Sequence, residues 1–212
     1  MVRKAEIPNH VVDSALRLAA TEGWRRMTLR DIAAEAGLSL AEVHAVHRSK
    51  SGILAAFVRR VDDAVLPEDD AELLDESPRD RLFDLVMRRL DAMAPHKEGV
   101  AAVVRDLSAD PAWALCHAPT FMRSMDWMLE VAGLAAGGCR GRVRAAGLGA
   151  VYLSTLRVWF MDDSPDMART MASLDRQLRR VDALARALDR PRRAWAARGP
   201  GPEEAASAPA DA

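Results

Sequence analysis

The sequence predicts an all-α protein, and three observations lead to this fold class. Apolar residues recur three and four positions apart along most of the 212 residues, without sustained alternation of apolar and polar residues. Half of the residues are hydrophobic and 29% are charged, which is the balance of a globular protein. No apolar run approaches the roughly 18 residues that a membrane span requires, so we expect a soluble chain retained in the cytoplasm.

The first helices can be placed from their start and stop signals. A first helix is expected to end near Gly23. Thr28, with Asp31 three residues later, is typical of the start of a second helix, and Gly37 is typical of its end. These signals predict two helices, with a tight turn at Gly37 after the second.

The following helices have equally clear start signals. Ser39 with Glu42 is a capping box that predicts a third helix, and Ser49 can cap a fourth. Ser77 followed by Pro78 predicts the first helix of a second region. We therefore predict a three-helix head in residues 1–66, an acidic connection in 67–77, a helical body in 78–198 and a disordered, Pro- and Ala-rich tail in 199–212.

Prolines and glycines are expected to divide the body into its helices. Pro95, Asp110-Pro111, Pro119 and the GGCRG turn at 137–141 mark the predicted breaks, and Ser164-Pro165 marks the predicted start of the last helix. The apolar stripe of that last helix has three possible partners, namely the body, a second subunit or an anionic membrane surface. Its residues are Met167, Met171, Leu174, Leu178, Val181, Leu184 and Leu188.

Residues 28–54 have the spacing of a helix-turn-helix. Such a motif needs a small residue where its helices touch, a residue that tolerates positive φ in the turn, and an apolar residue facing inward from the second helix. Ala33, Gly37 and Val43 satisfy these needs. Two helices joined through a glycine occur in many folds, so the spacing alone leaves DNA binding and a purely structural role both open.

The string TLRDIAAEAGLSLAEVHAVHRSKSGILAAF resembles the DNA-binding head of TetR-like transcriptional regulators. The resemblance covers about 50 residues and implies a TetR-like fold, with a homodimer whose heads enter successive major grooves of a double-stranded DNA operator. It implies that the third helix reads the bases. The DNA-contacting residues would be Thr28, Arg30, Ser39, Leu40, Ala41, Glu42, His44, Arg48 and Lys50.

This head departs from the family pattern in its reading helix. His44 stands where the family usually has Tyr, and His47 stands where it usually has Phe. The helix also lacks Arg, Lys, Asn and Gln, the side chains best suited to bidentate contacts with bases, so we expect weak sequence readout. Attraction to phosphates can still come from the head, because residues 1–60 contain ten Lys or Arg against six Asp or Glu.

The sequence favours neither metal binding nor catalysis. His44 and His47 lack a visible third ligand, and we expect surface imidazoles there rather than a metal site. Phosphate-binding glycine loops, nucleophile elbows and zinc motifs are all missing from the sequence, so we expect no cofactor and no enzymatic activity. Cys116 and Cys139 are interpreted as buried or incidental thiols.

A second resemblance lies near the C-terminus. The strings RSMDWMLEVAGL and VWFMDDSPDMARTMASLDRQL look like the C-terminal domain of the lipid-binding accessory protein of ubiquinone biosynthesis, which shares the TetR fold. The resemblance implies a hydrophobic pocket for an isoprenoid or similar lipid, delivered to a partner hydroxylase with weak contact to a membrane surface.

The Met- and Trp-rich composition of the body is compatible with such a pocket, because Met adapts to irregular apolar ligands. Plain core packing remains the alternative for each of these side chains. The predicted pocket residues are Met87, Leu90, Met93, Val104, Trp113, Met122, Met125, Trp127, Met128, Tyr152 and Trp159.

Overall fold

The computed structural model describes residues 3, 5–66 and 75–196, with side chains described as far as residue 183. Within these residues every regular element is helical, which confirms the predicted all-α fold class. Nine α-helices follow one another, with a 3-10 turn at Ala94–His96. They are α1 (Ile7–Glu22), α2 (Leu29–Ala36), α3 (Leu40–Val46), α4 (Lys50–Ala64), α5 (Pro78–Met93), α6 (Lys97–Ala109), α7 (Pro111–Val131), α8 (Gly138–Trp159) and α9 (Ala168–Ala196).

The helix starts predicted at Thr28, Ser39, Ser49 and Ser77 are confirmed. Each of these side chains accepts a hydrogen bond from the backbone N–H three residues later, which satisfies a donor that the first helical turn leaves unpaired. The stop at Gly37 is also confirmed, because this glycine has φ 65° and ψ 30° in the left-handed region.

One predicted break in the body is wrong, and another is displaced. Pro119 lies inside α7 rather than between helices. The chain does leave the helical conformation between α7 and α8, but in residues 132–137, so the GGCRG segment belongs largely to α8, which begins at Gly138. Pro119 is exposed at its position, so the continuing helix does not force its ring against a packed neighbour. Packing of the long apolar face of α7 therefore outweighs the local effect of this proline.

The predicted start of the last helix is also wrong, by about three residues. Asp162 accepts hydrogen bonds from Ser164 and from the backbone and hydroxyl of Thr170, so residues 162–167 form a turn rather than the first turn of α9. Met167 has φ 51°, an uncommon conformation for a residue with a side chain, and α9 begins at the next residue. The Asp162 carboxylate therefore organises this turn and also bonds the first turn of α9 through Thr170.

The head and the body share one apolar core. Helix α1 packs against α6, where Gly99 permits an unusually close approach because a Cβ at this position would lie 2.3 Å from the carbonyl oxygen of Leu16. Helix α4 packs against α5 and α7. The four helices α1, α4, α6 and α7 therefore join the N-terminal head directly to the rest of the molecule.

Helix α9 packs against α8 and α5, so the first of its three proposed partners, the body, is confirmed for the described part of its stripe. Leu174 and Leu178 are buried there, whereas Val181 is 43% exposed. The stripe positions at Leu184 and Leu188 lie outside the described side chains. Contact of α9 with a second subunit or with a membrane surface stays a prediction.

Some predictions fall outside the described residues. These are most of the acidic connection at 67–77 and all of the tail at 199–212, so the domain boundaries stay a prediction. Across the described helices, no segment is both long enough and apolar enough to span a membrane. Cys116 and Cys139 are both exposed free thiols, so burial of either one is the wrong interpretation.

Candidate nucleic-acid interface and body cavity

The exposed face of the helix-turn-helix contains a shallow groove between the start of α2 and the start of α3. We call this surface the reading groove; it is lined by Thr28, Leu29, Arg30, Leu40, Ala41 and His44. Five of these six residues belong to the predicted DNA-contacting set. The structure therefore brings residues from two helices together on one open surface.

Other members of the predicted set are already engaged at the helix ends. The Glu42 carboxylate accepts hydrogen bonds from the backbone N–H of Ser39 at 2.8 Å and from its hydroxyl at 2.6 Å. The Asp31 carboxylate accepts the same two bonds from Thr28. These bonds lower the pKa of Glu42 and of Asp31 below their usual values, so both are ionised at neutral pH.

The consequence for the reading groove is that Glu42 acts as a cap rather than as an open base reader. Its negative charge stabilises the N-terminus of α3, where the helix dipole is positive. The exposed side chains of Leu40, Ala41 and His44 remain as the part of α3 that faces outward. Arg48 is exposed just beyond the end of this helix.

Lys50 differs from the other predicted DNA-contacting residues because its ammonium group faces inward. Its Nζ donates to the carbonyl oxygens of Trp24 at 2.6 Å and Met27 at 2.8 Å, and it lies 5.6 Å from the centre of the Trp24 ring. Burial lowers the pKa of Lys50. The residue therefore ties the start of α4 to the loop between α1 and α2.

His47 is not the surface imidazole that the sequence predicts. It is only 7% exposed, and its Nε2 lies 3.1 Å from the carbonyl oxygen of Pro8, so it joins the end of α3 to the start of α1. His44 is exposed, as expected. Among the described residues, no group of three or more His, Cys, Asp or Glu has the arrangement of a metal site.

A cavity of about 360 Å³ lies where the head meets the body, between α1 and α4 of the head and α5, α6, α7 and α8 of the body. Three of the predicted pocket residues line it, namely Met93, Val104 and Tyr152. Most of the wall comes instead from Leu, Val and Phe side chains that the sequence did not single out. They include Leu54, Phe57, Val61, Val100, Val103 and Phe121.

The other eight predicted pocket residues lie outside this lining. Their residue types predict an apolar pocket, but their helices turn most of them into the packed core. Leu90, Met125, Met128 and Trp159 are buried there, Met87, Trp113 and Met122 are partly buried, and Trp127 is 38% exposed. For most of these side chains, core packing rather than cavity lining describes their place.

Four polar residues from four helices bond to one another beside the cavity, and three of them line it. Arg89 Nε donates to the Tyr152 hydroxyl at 3.1 Å, and Nη1 of the same residue pairs with Asp62. Asp62 also accepts a hydrogen bond from the Ser124 hydroxyl at 2.5 Å. We call Asp62, Arg89, Ser124 and Tyr152 the polar cluster. Arg89 is 3% exposed, and burial raises the pKa of Tyr152, which keeps its hydroxyl protonated.

Sequence reasoning missed three members of the polar cluster. Asp62 and Arg89 are 27 residues apart, and Arg89 and Tyr152 are 63 apart. The sequence contains one weak signal for this cluster. Arg89 stands next to Leu90 on the apolar side of α5, where a charged residue requires a buried partner.

The loop between α1 and α2 also contacts the body directly. The backbone N–H of Arg25 donates to the Asp106 carboxylate at 2.8 Å, and the guanidinium of Arg25 lies 3.6 Å from Asp110. The rings of Trp24 and Trp113 stack with their centres 6.4 Å apart. This loop therefore connects Lys50 in the head with α6 and α7 in the body.

Two protein families match the chain, one over the head and one over the C-terminal part of the body. The family described as "Bacterial regulatory proteins, tetR family" matches residues 11–57, which cover α2, α3 and most of α1 and α4. The head is a tetR-family domain. The COQ9 family matches residues 117–185, so a COQ9 domain covers α8 with most of α7 and more than half of α9. No curated protein matches the chain significantly.

Solved structures are similar over both regions together. A TetR transcriptional regulator from Nitrosomonas europaea is 28% identical, with a TM-score of 0.65, and the match covers 81% of this chain and 95% of that one. A TetR transcriptional regulator from Rhodococcus is 16% identical, with a TM-score of 0.55 and coverage of 84% and 95%.

A third similar structure is NalD from Pseudomonas aeruginosa, the secondary repressor of a multidrug efflux pump. It is 16% identical, with a TM-score of 0.52, and the match covers 84% of this chain and 97% of NalD. Together these structures indicate that the tetR-family domain and the COQ9 domain form one TetR-like fold.

Proposed function

We propose that the protein is a homodimeric DNA-binding transcriptional regulator whose body binds a hydrophobic small molecule or lipid. The observation that carries this proposal is the reading groove, in which five predicted DNA-contacting residues share one open surface on α2 and α3. An exposed helix such as α3 fits the major groove of double-stranded DNA. The similarity to a TetR regulator across most of both chains supports the same function.

The cavity gives the proposal its ligand site. Its volume of about 360 Å³ lies near the lower end of the range for small-molecule pockets, and its wall is mainly apolar. Helix α4 connects the two sites, because Lys50 at its start holds the loop of the head while Asp62 near its end belongs to the polar cluster. The two residues are about 18 Å apart along a helix that rises 1.5 Å per residue. A ligand that moves α4 would therefore change the position of the head, which couples the two sites.

DNA binding can be tested with the purified full-length protein and the DNA upstream of its own gene. We expect a shifted complex whose affinity falls with salt, because basic side chains displace counterions from phosphates. Absence of a specific shift with any genomic fragment at moderate salt would contradict the proposal.

Variants of two head residues refine this experiment. Arg48→Ala removes an exposed cation and is expected to weaken binding to all sequences and to reduce the salt slope by about one. Lys50→Ala is expected to weaken binding with an unchanged slope, since Lys50 holds the loop through carbonyl oxygens rather than facing outward. Arg123→Ala, an exposed arginine of α7, is the matched control and should change neither quantity.

A second candidate function is a lipid-binding accessory protein of ubiquinone biosynthesis with a vestigial head, favoured by the COQ9 match over residues 117–185. It predicts that an isoprenoid lipid copurifies and that the protein associates with anionic vesicles through arginines of α9 such as Arg176 and Arg180. Native mass spectrometry tests the first expectation. An empty cavity that takes up no quinone-like lipid would decide against this function.

A further inference from the structure

The cavity has a mixed lining. Its wall is built mainly from aliphatic and aromatic side chains, and its polar residues are Arg89, Tyr152 and Ser124 of the polar cluster together with Ser108, His117 and Thr120. A pocket that served only to hold a hydrocarbon would not need a guanidinium group, whose burial is costly unless it is paired. The polar cluster therefore indicates a ligand with a polar head as well as an apolar body.

The charge of the polar cluster is balanced. Arg89 carries one positive charge and Asp62 one negative charge, while Tyr152 is neutral because burial raises its pKa. His117 also lines the cavity, and burial lowers its pKa, which favours the neutral imidazole. An anionic head would add an unbalanced charge to this partly dry site, and a cationic head would face Arg89.

The polar cluster also has hydrogen-bond donors available for a ligand. A guanidinium has five N–H donors, and Arg89 uses two of them for Tyr152 and Asp62. The Tyr152 hydroxyl donates to the sulfur of Met93 at 3.5 Å, and a thioether is a weak acceptor. An oxygen of a ligand head could replace this sulfur with a gain in hydrogen-bond strength.

We propose that the cavity binds an uncharged amphiphile head-first, with a carbonyl or similar acceptor oxygen at Arg89 and Tyr152 and its apolar body against the Leu, Val and Phe wall. This inference rests on the proposed function, because it names the ligand class of the same cavity. The polar end of the ligand is then a hydrogen-bond acceptor, and the Arg89–Asp62 pair determines which charge on that end the cavity prefers.

The first test compares probes that share one apolar body. The full-length protein is titrated with 2-octanone, octanoate, octylammonium and octane, and binding is followed by ligand-observed NMR. Tyr152→Phe removes only the hydroxyl and is expected to weaken 2-octanone about 2- to 10-fold while leaving octane unchanged. Thr155→Val is the control, since Thr155 is a buried hydroxyl residue of the same helix that bonds to Val151 and does not line the cavity.

The second test changes the charge balance. Asp62→Asn keeps a hydrogen-bonding side chain beside Arg89 and Ser124 but leaves the guanidinium charge uncompensated. We expect octanoate to bind about tenfold more tightly to this variant than to the wild type, with no gain for octylammonium. Circular dichroism and the thermal midpoint verify that the variant is folded, and a second variant, Asp62→Ser, repeats the change with a shorter side chain.

The outcomes separate this inference from the proposed function. Equal effects of Tyr152→Phe on 2-octanone and octane, failure of 2-octanone to bind, or no octanoate gain in a folded Asp62 variant would overturn the head-first inference. Binding of operator DNA is measured on the same protein samples. A normal DNA shift alongside any of these results leaves the regulator proposal standing, whereas loss of the shift with intact ligand preferences removes the regulator proposal alone.

Discussion

The helix caps of the head and the polar cluster beside the cavity are two different kinds of polar contact. In the head, Thr28 with Asp31 and Ser39 with Glu42 join residues three apart in the chain. In the polar cluster, Arg89 joins Asp62 and Tyr152, which lie 27 and 63 positions away. Local caps act within one helix, whereas the polar cluster ties several helices together. Loss of a cap is therefore expected to have a small and additive effect, and loss of a member of the polar cluster a large and coupled one.

The largest effect is expected where the polar cluster is broken. Arg89→Met leaves the Asp62 carboxylate without its cation, and we expect the free energy of unfolding to fall by about 3–5 kcal/mol. Urea denaturation measures this change. Arg88→Met is the matched control, because Arg88 forms an exposed pair with Asp84 and should cost less than about 1 kcal/mol. Similar losses for both variants would remove the distinction between the two arginines.

The junction between head and body should be nearly as sensitive. Gly99→Ala places a methyl group against the Leu16 carbonyl and must separate α1 from α6, so we expect a loss of about 1–3 kcal/mol. Gly147→Ala serves as the control, since nothing lies within 4 Å of a Cβ at Gly147 in the middle of α8. Alanine there should stabilise the helix by up to about 1 kcal/mol. A stable Gly99→Ala protein would argue against close packing at the junction.

Smaller and additive effects are expected in the head. Ser39→Ala and Thr28→Ala each remove one cap and should each cost about 1 kcal/mol. The double variant should lose the sum of the two, because the caps belong to different helices.

Ser124→Ala combined with Arg89→Met should instead cost less than the sum of its single losses, since both contact Asp62. Denaturation of all six proteins tests the comparison directly.

The smallest effect concerns pH and the turn before α9. The Asp162 carboxylate accepts bonds from Ser164 and Thr170, which hold its pKa well below the usual value of 3.8. This contribution to stability is therefore present above pH 3.8 and is lost as the pH falls through the folded-state pKa. The stability difference between wild type and Asp162→Asn should shrink as pH falls below 3.8. Asp163→Asn, at the fully exposed neighbouring side chain, is the matched control for the removal of a carboxylate.

Local contacts explain why the head could be predicted from the sequence. The caps at Thr28, Ser39 and Ser49 and the left-handed turn at Gly37 depend on residues within one helical turn, so their signals are adjacent in the chain. The inward orientation of Lys50 could not be predicted, because its carbonyl partners at Trp24 and Met27 lie more than twenty residues away.

The lining of the cavity, in contrast, could not be predicted from neighbouring residues. Met and Trp content indicated an apolar body, but which side chains face an opening depends on how six helices meet. Met125 and Trp159 satisfy the compositional criterion and are nevertheless buried core residues. The start of the last helix was likewise misplaced, since the bond from Thr170 to Asp162 spans eight residues and overrides the Ser-Pro start signal. Non-local packing, rather than weak local preference, accounts for these errors.

The stacked rings of Trp24 and Trp113 provide a built-in spectroscopic reporter. Two indoles with centres 6.4 Å apart couple their electronic transitions, and one of them belongs to the head loop while the other belongs to α7. Any change in how the loop sits on α7 alters that coupling and therefore the circular dichroism of the aromatic bands. Titrations with DNA or with an amphiphile can thus be followed on the unlabelled protein, and Trp113→Phe identifies the part of the signal that comes from this pair.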